Sequence, residues 1–419
     1  MSSSPRLLSS AGSEGLKVLI LDTVHGAAVL CERYLARGDE VTAVDVYRVT
    51  PPEELERLKS IGVRILPEPP AERFDLITMP AHCPDVYIGA ATYDRRIVFS
   101  ESVHDLMDDN RFRIEVTGVK GKTSTCYLLA HILSSCGRKV FLHSSRGQGE
   151  FSDGEHHITA LKSIAPPSLL SIPEGDYDAI VCEISLGGSG KADIACITNL
   201  VEDYGIAKNT RRARDAKKDI LCDKVNIVLA SEEDIWKAYG KPLRLMVPHV
   251  KPAGDPVLGN PFPITVRYQG KDYDIALRGD YLSVQYTEAM DMALEICEAM
   301  GLPAACVLDA LTTFAGVPGR GEVKRENGRL YILDRNPGIS HMSVEFLLSR
   351  LEPLGVLKNS VMLIDPVSRK VCDKMDKDLI AEVASKYGVA MVLLEDGKVL
   401  PEYTDGRDTV IHLVKEGYQ

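Results

Sequence analysis

The sequence predicts an α/β protein of three domains, with a phosphate-binding central domain between two Rossmann-like domains. A chain of 419 residues exceeds one ordinary core, since domains average roughly 150 residues. Short apolar strands alternate with helical patterns along its length, which is typical of parallel sheets covered by helices. One strand at 111–117 runs into a glycine-containing turn and then a helix. We expect a disordered tail at 1–15 and domains at 16–108, 109–320 and 321–419.

The N-terminal domain begins with a strand, a helix and a second strand. The segments L-K-V-L-I-L-D and E-V-T-A-V-D-V-Y flank an amphipathic helix that ends near Arg37, which predicts a parallel β-α-β unit. The first turn, D-T-V-H-G, lacks the G-x-G-x-x-G fingerprint of dinucleotide-binding domains. We therefore expect this domain to hold a substrate.

The turn in the central domain has the layout of a phosphate-binding loop. Gly118 and Gly121 allow the backbone to curl, Lys122 supplies a cation, and Thr123 offers a hydroxyl to Mg²⁺. The helix expected at 124–134 directs its positive end toward the same point. The predicted nucleotide contacts in this segment are Thr117, Gly118, Val119, Lys120, Gly121, Lys122, Thr123 and Ser124.

The C-terminal domain repeats the alternation of strands and helices. Strands are expected at 330–334, 360–364 and 391–394, with helices at 341–354 and 376–387.

Composition and charge exclude several classes of partner. The net charge of −11 argues against a nucleic acid or an anionic membrane surface as the main partner. No run approaches the roughly 18 apolar residues of a membrane span. The ten cysteines form no C-x-x-C pair and no zinc-like spacing with histidine, which favours buried reduced thiols. We expect a cytoplasmic protein that acts on a small molecule.

The spacing of the loop carries a family resemblance. A generic P-loop needs glycine at position 116, where this chain has Val116, so the motif is the shorter T-G-x-x-G-K-T. This compact form resembles the ATP-binding loop of the Mur ligase superfamily. The resemblance implies an enzyme that uses ATP and Mg²⁺ to activate a carboxylate as an acyl phosphate, which then passes to a nucleophile.

Three further segments resemble catalytic motifs of that superfamily. In V-C-E-I-S, Glu183 resembles the magnesium-binding glutamate. In R-A-R-D-A-K-K-D-I, Lys217 resembles a lysine that is carbamylated in many members, although Lys218 is adjacent. In F-A-G-V-P-G-R-G-E, Arg320 resembles the arginine that contacts phosphate at the junction with the last domain. The resemblance makes Lys122, Glu183, Lys217 and Arg320 the catalytic candidates.

The remaining motifs depart from the family pattern. The segment I-T-N-L-V-E-D-Y-G retains Asn199 and Asp203 but has Tyr204 where a metal-binding histidine is usual. Either the second metal site is lost, or Asp203 and Glu202 rebuild it. The predicted metal ligands are Thr123, Glu183, Asp203 and Ser144, with Ser145 as the alternative serine. The further predicted nucleotide contacts are Asn199, Arg320 on the phosphates, Asp334 on the ribose and Gln285 on the adenine side, where Tyr281 stands in place of the usual histidine.

The N-terminal segments K-V-L-I-L-D-T-V-H-G and D-L-I-T-M-P-A-H-C-P resemble one Mur-ligase-like family, the coenzyme F-430 synthetases. That resemblance implies a nickel tetrapyrrole precursor, whose propionate is activated and attacked by a carbon of the same macrocycle. His25, His82 and His143 are the candidates for the base. Two alternatives remain: an amide ligase that adds an amino acid to a carboxylated cofactor or peptide, and a nucleotide-binding regulator without catalysis.

Overall fold

A computed structural model describes residues 15–201, 203–336, 339–365, 375–395 and 397–415. The tail predicted at 1–15 therefore lies outside the described residues except for its last position. Within the described ranges three large sheets are flanked by helices, and the α/β class predicted from the sequence is confirmed. No helix in these ranges combines the length and apolar character needed to cross a bilayer.

The first sheet is parallel and belongs to the N-terminal part of the chain. Its order is β3-β2-β1-β4-β5. Strands β1 and β2 are buried from their second residue onward, because the runs V-L-I-L in β1 and V-T-A-V in β2 pack on both faces of the sheet. The elements are β1 (Lys17–Leu21), α1 (Ala27–Ala36), β2 (Glu40–Val44), α2 (Pro52–Ser60), β3 (Arg64–Leu66), β4 (Arg73–Met79), β5 (Thr92–Val98) and α3 (Phe99–Leu106).

The second sheet has eight strands and contains the predicted phosphate loop. Its order is β15-β14-β11-β6-β10-β7-β8-β9, and the last two strands are antiparallel. The strands and helices of this part are β6 (Arg113–Thr117), α4 (Lys122–Ser135), β7 (Val140–Ser144), β8 (Gly147–Ser152), β9 (Glu155–Ala160), β10 (Ala179–Glu183), β11 (Ile194–Ile197), β12 (Gly205–Ile206), β13 (Arg211–Arg212), α5 (Ala213–Lys217), β14 (Val225–Leu229), α6 (Glu233–Trp236) and β15 (Leu243–Met246). Of these, β12 and β13 lie outside the eight-stranded sheet and pair only with each other, antiparallel.

A small antiparallel sheet and two helices complete the central part. They are β16 (Val250–Pro252), β17 (Phe262–Tyr268), β18 (Lys271–Leu277), α7 (Thr287–Ala299) and α8 (Ala304–Thr313). Helix α4 is buried against α7 and α8, with Leu128, Leu129 and Ile132 fully enclosed. The helix that follows the phosphate loop is therefore held on several sides by the central core.

The third sheet lies in the C-terminal part, in the order β19-β20-β23-β21-β22. Only β19 and β20 pair antiparallel within it, through a turn at Asn327 and Gly328. The elements are β19 (Arg320–Glu326), β20 (Arg329–Arg335), α9 (His341–Leu351), β21 (Ser360–Asp365), α10 (Lys377–Lys386), β22 (Ala390–Leu393), α11 (Pro401–Thr404) and β23 (Thr409–Val414).

The N-terminal and central parts share one hydrophobic core. Leu169 and Leu170, in a 3₁₀ turn of the central part, pack into the same cluster as Leu30 of α1 and Val103 of α3. The C-terminal sheet has its own cluster, which takes only Leu258 and Leu282 from the central part. The first two sheets are thus fused by packing, while the third is joined more lightly.

The cysteine prediction is wrong for one pair. Cys136, at the end of α4, and Cys306, in α8, form a disulfide. Seven others are free and buried, as predicted, and Cys372 lies outside the described residues. The pairing joins positions far apart in sequence, so local spacing gave no sign of it.

Candidate active site

Four neighbouring parallel strands deliver the site residues to one edge of the second sheet. The four strands are neighbours in the order β11, β6, β10 and β7. Asn199 follows β11, the phosphate loop follows β6, Glu183 ends β10, and Ser145 follows β7. The carboxyl ends of parallel strands meet at the same edge, where α/β proteins bind ligands. Residues far apart in sequence therefore converge here because of strand order.

The phosphate loop turns on two glycines with positive φ. Gly118 has a φ of 140° and Gly121 a φ of 84°, which residues with a Cβ atom rarely adopt. A Cβ atom on Gly118 would also lie 1.9 Å from Thr198 Oγ1 and 3.0 Å from the Thr198 backbone nitrogen. The loop therefore requires glycine at position 118.

Residues after β11 brace this loop. Thr198 Oγ1 donates to the Lys120 carbonyl at 2.6 Å, and the Lys120 N–H donates to Asn199 Oδ1 at 3.1 Å. The Val119 N–H donates to the Asn199 carbonyl at 3.0 Å. The N–H groups of Val119 and Lys120, predicted to contact phosphate, are thus committed to Asn199. The first turn of α4, beginning at Lys122, supplies N–H groups that lack intrahelical partners and suit an anion.

A cluster of oxygen atoms at the start of α4 fits a magnesium ion. Thr123 Oγ1 lies 3.0 Å from each carboxylate oxygen of Glu183 and 3.2 Å from Ser145 Oγ. The Ser145 N–H donates to Glu183 Oε2 at 3.0 Å, and Glu183 is only 2% exposed. Carboxylate and hydroxyl oxygens are the ligands that Mg²⁺ prefers, and a buried carboxylate calls for a cation.

Of the two serines predicted to bind metal, Ser145 lies in this cluster and Ser144 does not. Ser144 is the last residue of β7, and its buried Oγ donates to the Gly147 carbonyl at 3.4 Å and accepts from the Arg146 N–H at 3.2 Å. Successive side chains of a strand point to opposite faces. The geometry therefore replaces Ser144 with its neighbour.

Lys217 contacts the phosphate loop from α5. Its Nζ donates to the Gly118 carbonyl at 2.8 Å and to the Ser185 carbonyl at 2.9 Å. Burial, together with the nearby charge of Lys122, lowers the pKa of Lys217 to about 7. Lys218 instead pairs with Asp219 at 2.9 Å. Lys217, rather than Lys218, is thus the lysine placed at the loop.

Lys122 folds back onto the loop that precedes it. Its Nζ donates to the carbonyls of Gly118 at 3.2 Å and Val119 at 3.4 Å. Its pKa is lowered mainly by burial, an effect that the charge of Glu183 opposes and that of Arg320 reinforces. Lys122 is therefore placed where its charge can act on a phosphate bound at the loop.

Arg320 lies where the central and C-terminal parts meet. It begins β19 and pairs in register with Asp334 of β20. Tyr286 fixes this junction, because its hydroxyl accepts from the Val317 N–H at 2.9 Å and donates to the Arg320 carbonyl at 3.2 Å. The predicted phosphate arginine and ribose aspartate are therefore neighbours.

Three buried polar groups beside this junction accept or donate no hydrogen bond within the described residues. Arg320 Nε, Gln285 Nε2 and Tyr281 Oη are buried and make no hydrogen bond to any part of the chain that the structure describes. Buried polar atoms are almost always bonded. Arg320 is near enough to the phosphate loop for its charge to lower the pKa of Lys122, and unpartnered donors beside such a group fit a nucleotide, which carries many acceptors.

The predicted second metal site gains no support from Asp203. Its carboxylate accepts from the Arg214 N–H at 3.0 Å and lies 3.4 Å from Arg214 Nε and 3.6 Å from Arg212 Nε. Tyr204 is exposed, and Glu202 lies outside the described residues. Asp203 therefore neutralises arginines instead of joining the Thr123 and Glu183 cluster.

The three histidines predicted as bases lie in two places. His143 is fully buried in β7, with Nε2 bonded to Ser168 Oγ at 2.9 Å, and burial lowers its pKa to about 4. His25 and His82 lie together in loops after β1 and β4 of the first sheet, with ring centroids 4.5 Å apart, and both line a cavity that reaches Ser185. The structure thus removes His143 from the candidates.

Comparison with known proteins agrees with this geometry. Residues 116–230 match the family model of the Mur ligase middle domain. Over this range the central domain is similar to a Mur ligase middle domain. Its matched range includes the phosphate loop, Glu183 and Lys217.

Two curated relatives cover most of the chain. A coenzyme F(430) synthetase of Methanosarcina acetivorans is 28% identical over 418 residues, covering 89% of this chain and 88% of its own. A coenzyme F(430) synthetase of Methanocaldococcus jannaschii is 27% identical over 410 residues, covering 93% of each. Both belong to the family that the N-terminal segments resemble.

A solved structure shows the same architecture. MurF ligase from Thermotoga maritima, in complex with ADP, has a TM-score of 0.54 and 13% identity, covering 90% of this chain and 91% of its own. The predicted three-domain Mur-ligase-like fold is confirmed. With the matched middle domain and the curated relatives, the prediction of an ATP-dependent ligase is confirmed as well.

Several residues of the site were not predicted. Thr198 and Tyr286 act through hydrogen bonds that join distant segments, and Ser185 acts through its carbonyl, which carries no side-chain signal. Asp22 follows β1 directly and contacts His25. The D-x-x-H spacing at a strand end is the signal by which Asp22 is recognisable.

Proposed function

We propose that this chain activates a carboxylate of a nickel tetrapyrrole precursor with ATP and then closes a carbocyclic ring on the same macrocycle. The observation that carries the activation step is the Thr123, Glu183 and Ser145 cluster beside the phosphate loop. The substrate is inferred from the relatives named coenzyme F(430) synthetase.

In the first step, the chain holds ATP for phosphoryl transfer. The N–H groups at the start of α4 and the Lys122 ammonium face the terminal phosphates, and Arg320 approaches from the junction. Thr123, Glu183 and Ser145 would hold Mg²⁺, which when bound neutralises charge on the transferring phosphoryl group. A propionate oxygen of the substrate takes the γ-phosphoryl group, and ADP leaves.

In the second step, a carbon of the macrocycle attacks the acyl carbon and phosphate leaves, so that a cyclohexanone ring forms. Because nucleophile and electrophile belong to one molecule, tethering supplies a high effective concentration of the second reactant. The reaction therefore needs no binding pocket for an amine.

We further propose that Lys217 is carbamylated in the working enzyme. Carbamylation requires a neutral amine, and the low pKa of Lys217 leaves a substantial neutral fraction at neutral pH. The modification would turn a cation beside the phosphate loop into an anion able to bind metal.

The test is turnover by the purified protein with ATP, Mg²⁺ and the nickel tetrapyrrole precursor, with no amino acid added. We expect phosphate release together with a product lighter than the precursor by one water. Lys122→Ala should abolish both, because the loop loses its principal cation. Lys139→Ala is the matched control, since Lys139 precedes β7 at the opposite edge of the sheet and is exposed.

Other outcomes distinguish the alternatives. Turnover that requires a free amino acid would contradict ring closure and support an amide ligase. Tight ATP binding with no phosphate release from any carboxylate would support a regulator.

A further inference from the structure

We propose that His25, oriented by Asp22, is the base that takes the proton from the attacking carbon during ring closure. This inference rests on the proposed function and identifies the residue that performs its second step. It concerns the N-terminal domain, to which none of the family-derived catalytic residues belongs.

Asp22, His25 and His82 lie at the switch point of the first sheet. The chain passes from β1 to β2 and β3 on one side, and then to β4 and β5 on the other. Ligands of open α/β sheets bind outside the carboxyl ends of the strands at such a point. Asp22 directly follows β1, and His82 lies three residues beyond the end of β4, so both are at this position.

Asp22 holds the His25 ring in one orientation. Asp22 is fully buried; its Oδ1 accepts from the Val24 N–H at 2.7 Å, and its Oδ2 is hydrogen-bonded to His25 Nδ1. Its φ of 101° is unfavourable for a residue with a side chain, and such strain occurs preferentially at functional sites. With Nδ1 bonded to a carboxylate, Nε2 is the nitrogen that can accept a proton.

The two rings nearest His25 carry no charge at neutral pH. The His82 ring lies 4.5 Å away and the Tyr47 ring 6.0 Å away, both edge to face with His25. Burial, with the charge of His25 as a smaller cause, lowers the pKa of His82 to about 4, and burial raises that of Tyr47. Both neighbours are therefore neutral at neutral pH, and Asp22 supplies the only charge in contact with the ring among the described residues.

A small cavity of about 30 Å³ lies between His25 and Ser185, where the N-terminal and central parts meet. His25, His82 and Ala81 line it on the N-terminal side, and Pro166 and Ser185 line it on the central side. The Ser185 carbonyl accepts from Lys217 Nζ at 2.9 Å and from Thr117 Oγ1 at 3.3 Å. The wall of the cavity is thus directly bonded to the loop that binds ATP.

Contacts between the domains keep this cavity in place. Arg211 of β13 donates to the Ala81 carbonyl at 3.2 Å and pairs with Asp85. Ala81 also packs against Ile206, Ala213 and Ala216 of the central domain. The segment after β4, which includes His82, is consequently held against the central domain.

The step balances as a carbon acylation. His25 Nε2 takes the proton of the carbon acid, and the electron pair of that C–H bond forms the new C–C bond to the acyl carbon. The acyl C–O bond to phosphate breaks, and inorganic phosphate leaves with its electron pair. The imidazolium, stabilised by Asp22, then returns the proton to solvent, so that no oxidant or reductant is required.

The side chains of Asp22, His25 and His82 could also form a metal site. One ligand atom each from Asp22, His25 and His82 lies within 4.8 Å of the others, so the group resembles a divalent-metal site. The base is favoured because Asp22 already bonds to His25 Nδ1 and because His25 lines the cavity. Metal content is therefore one arm of the test.

The experiment separates activation from ring closure in the full-length protein. Hydroxylamine traps the acyl phosphate as a hydroxamate, while ring closure is followed by mass. His25→Asn should retain hydroxamate formation within about threefold and lose ring closure by roughly 10²–10⁴-fold. External imidazole should restore part of the ring closure in His25→Ala. His157→Asn, at an exposed histidine of β9, is the control and should behave as wild type.

Asp22 is a positioning residue with its own readout. Asp22→Asn should lower kcat for ring closure with the KM for the precursor unchanged, whereas general misfolding would also abolish hydroxamate formation.

Each contrary result is distinct. Ring closure at the wild-type rate in His25→Asn would show that His25 is not the base, and the proposed function would stand. Joint loss of hydroxamate formation and ring closure would have the same two consequences. A divalent metal that is present stoichiometrically in the wild-type protein and absent from His25→Asn would also show that His25 is not the base. If wild-type protein turns over no ATP with the tetrapyrrole, both proposals fail.

Discussion

Replacement of Gly118 by alanine tests the geometry of the phosphate loop. The new Cβ atom would lie 1.9 Å from Thr198 Oγ1 and 3.1 Å from the Asn199 backbone nitrogen, at a φ of 140°. Thr198 Oγ1 must move away and give up its 2.6 Å hydrogen bond to the Lys120 carbonyl. The change therefore strains the loop and removes part of its brace.

The magnitude follows from these two effects. A side chain at an unfavourable φ costs about 1–3 kcal/mol, and the lost hydrogen bond costs about 0.5–1.5 kcal/mol. If the loop of the variant relaxes in the absence of ATP to avoid this cost, ATP binding must force it back into the strained conformation. We therefore expect ATP affinity to fall by roughly 10- to 1000-fold, since each 1.4 kcal/mol is a factor of ten.

Calorimetric titration with a non-hydrolysable ATP analogue measures this loss. Gly137→Ala is the matched control: Gly137 also has a positive φ, 78°, but a Cβ atom there would meet nothing within 4 Å. Gly137 follows the far end of α4, so that the control should lower stability without lowering affinity. Equal affinities for the two variants would refute the account of the loop.

Two further predictions concern Arg320 and Lys217. Arg320→Lys keeps the charge but loses the bidentate contact with phosphate, so kcat should fall about 100-fold with the KM for ATP nearly unchanged. Arg325→Lys, in the same strand, is the control. A large rise in KM alone would contradict a role for Arg320 in phosphoryl transfer. Because the pKa of Lys217 is lowered to about 7, carbamate formation should increase as pH rises through 7 and then level off. Carbon NMR with labelled bicarbonate measures it. Lys218→Arg should leave the signal intact, and an active enzyme with no carbamate signal at any pH would contradict the proposal.

Local patterns made the core of the site predictable. The strand, glycine turn and helix around Lys122 are contiguous in sequence, so the phosphate loop follows directly from the residues. Glu183 is predictable because it ends a strand composed of buried apolar residues. Both features depend on local backbone conformation at the end of a single strand, which a short motif indicates well.

Features that depend on contact between distant segments were less accessible. The distinction between Ser144 and Ser145 depends on which face of β7 each side chain takes, and a shift of one residue reverses the faces. The pairing of Asp22 and His25 with His82 depends on β1 lying beside β4. Of the C-terminal strands, β19 and β23 are not among those predicted, although the Asn327-Gly328 turn is a recognised hairpin signal.

The common core of the first two domains limits how this protein can be recombined. Leu169 and Leu170 fill the space between α1 and α3, so an N-terminal domain from another ligase would leave apolar surface exposed unless that interface were redesigned. The C-terminal domain has a nearly self-contained core and is the part most readily exchanged. Chimeric ligases with altered substrates should therefore keep the first two domains as one unit.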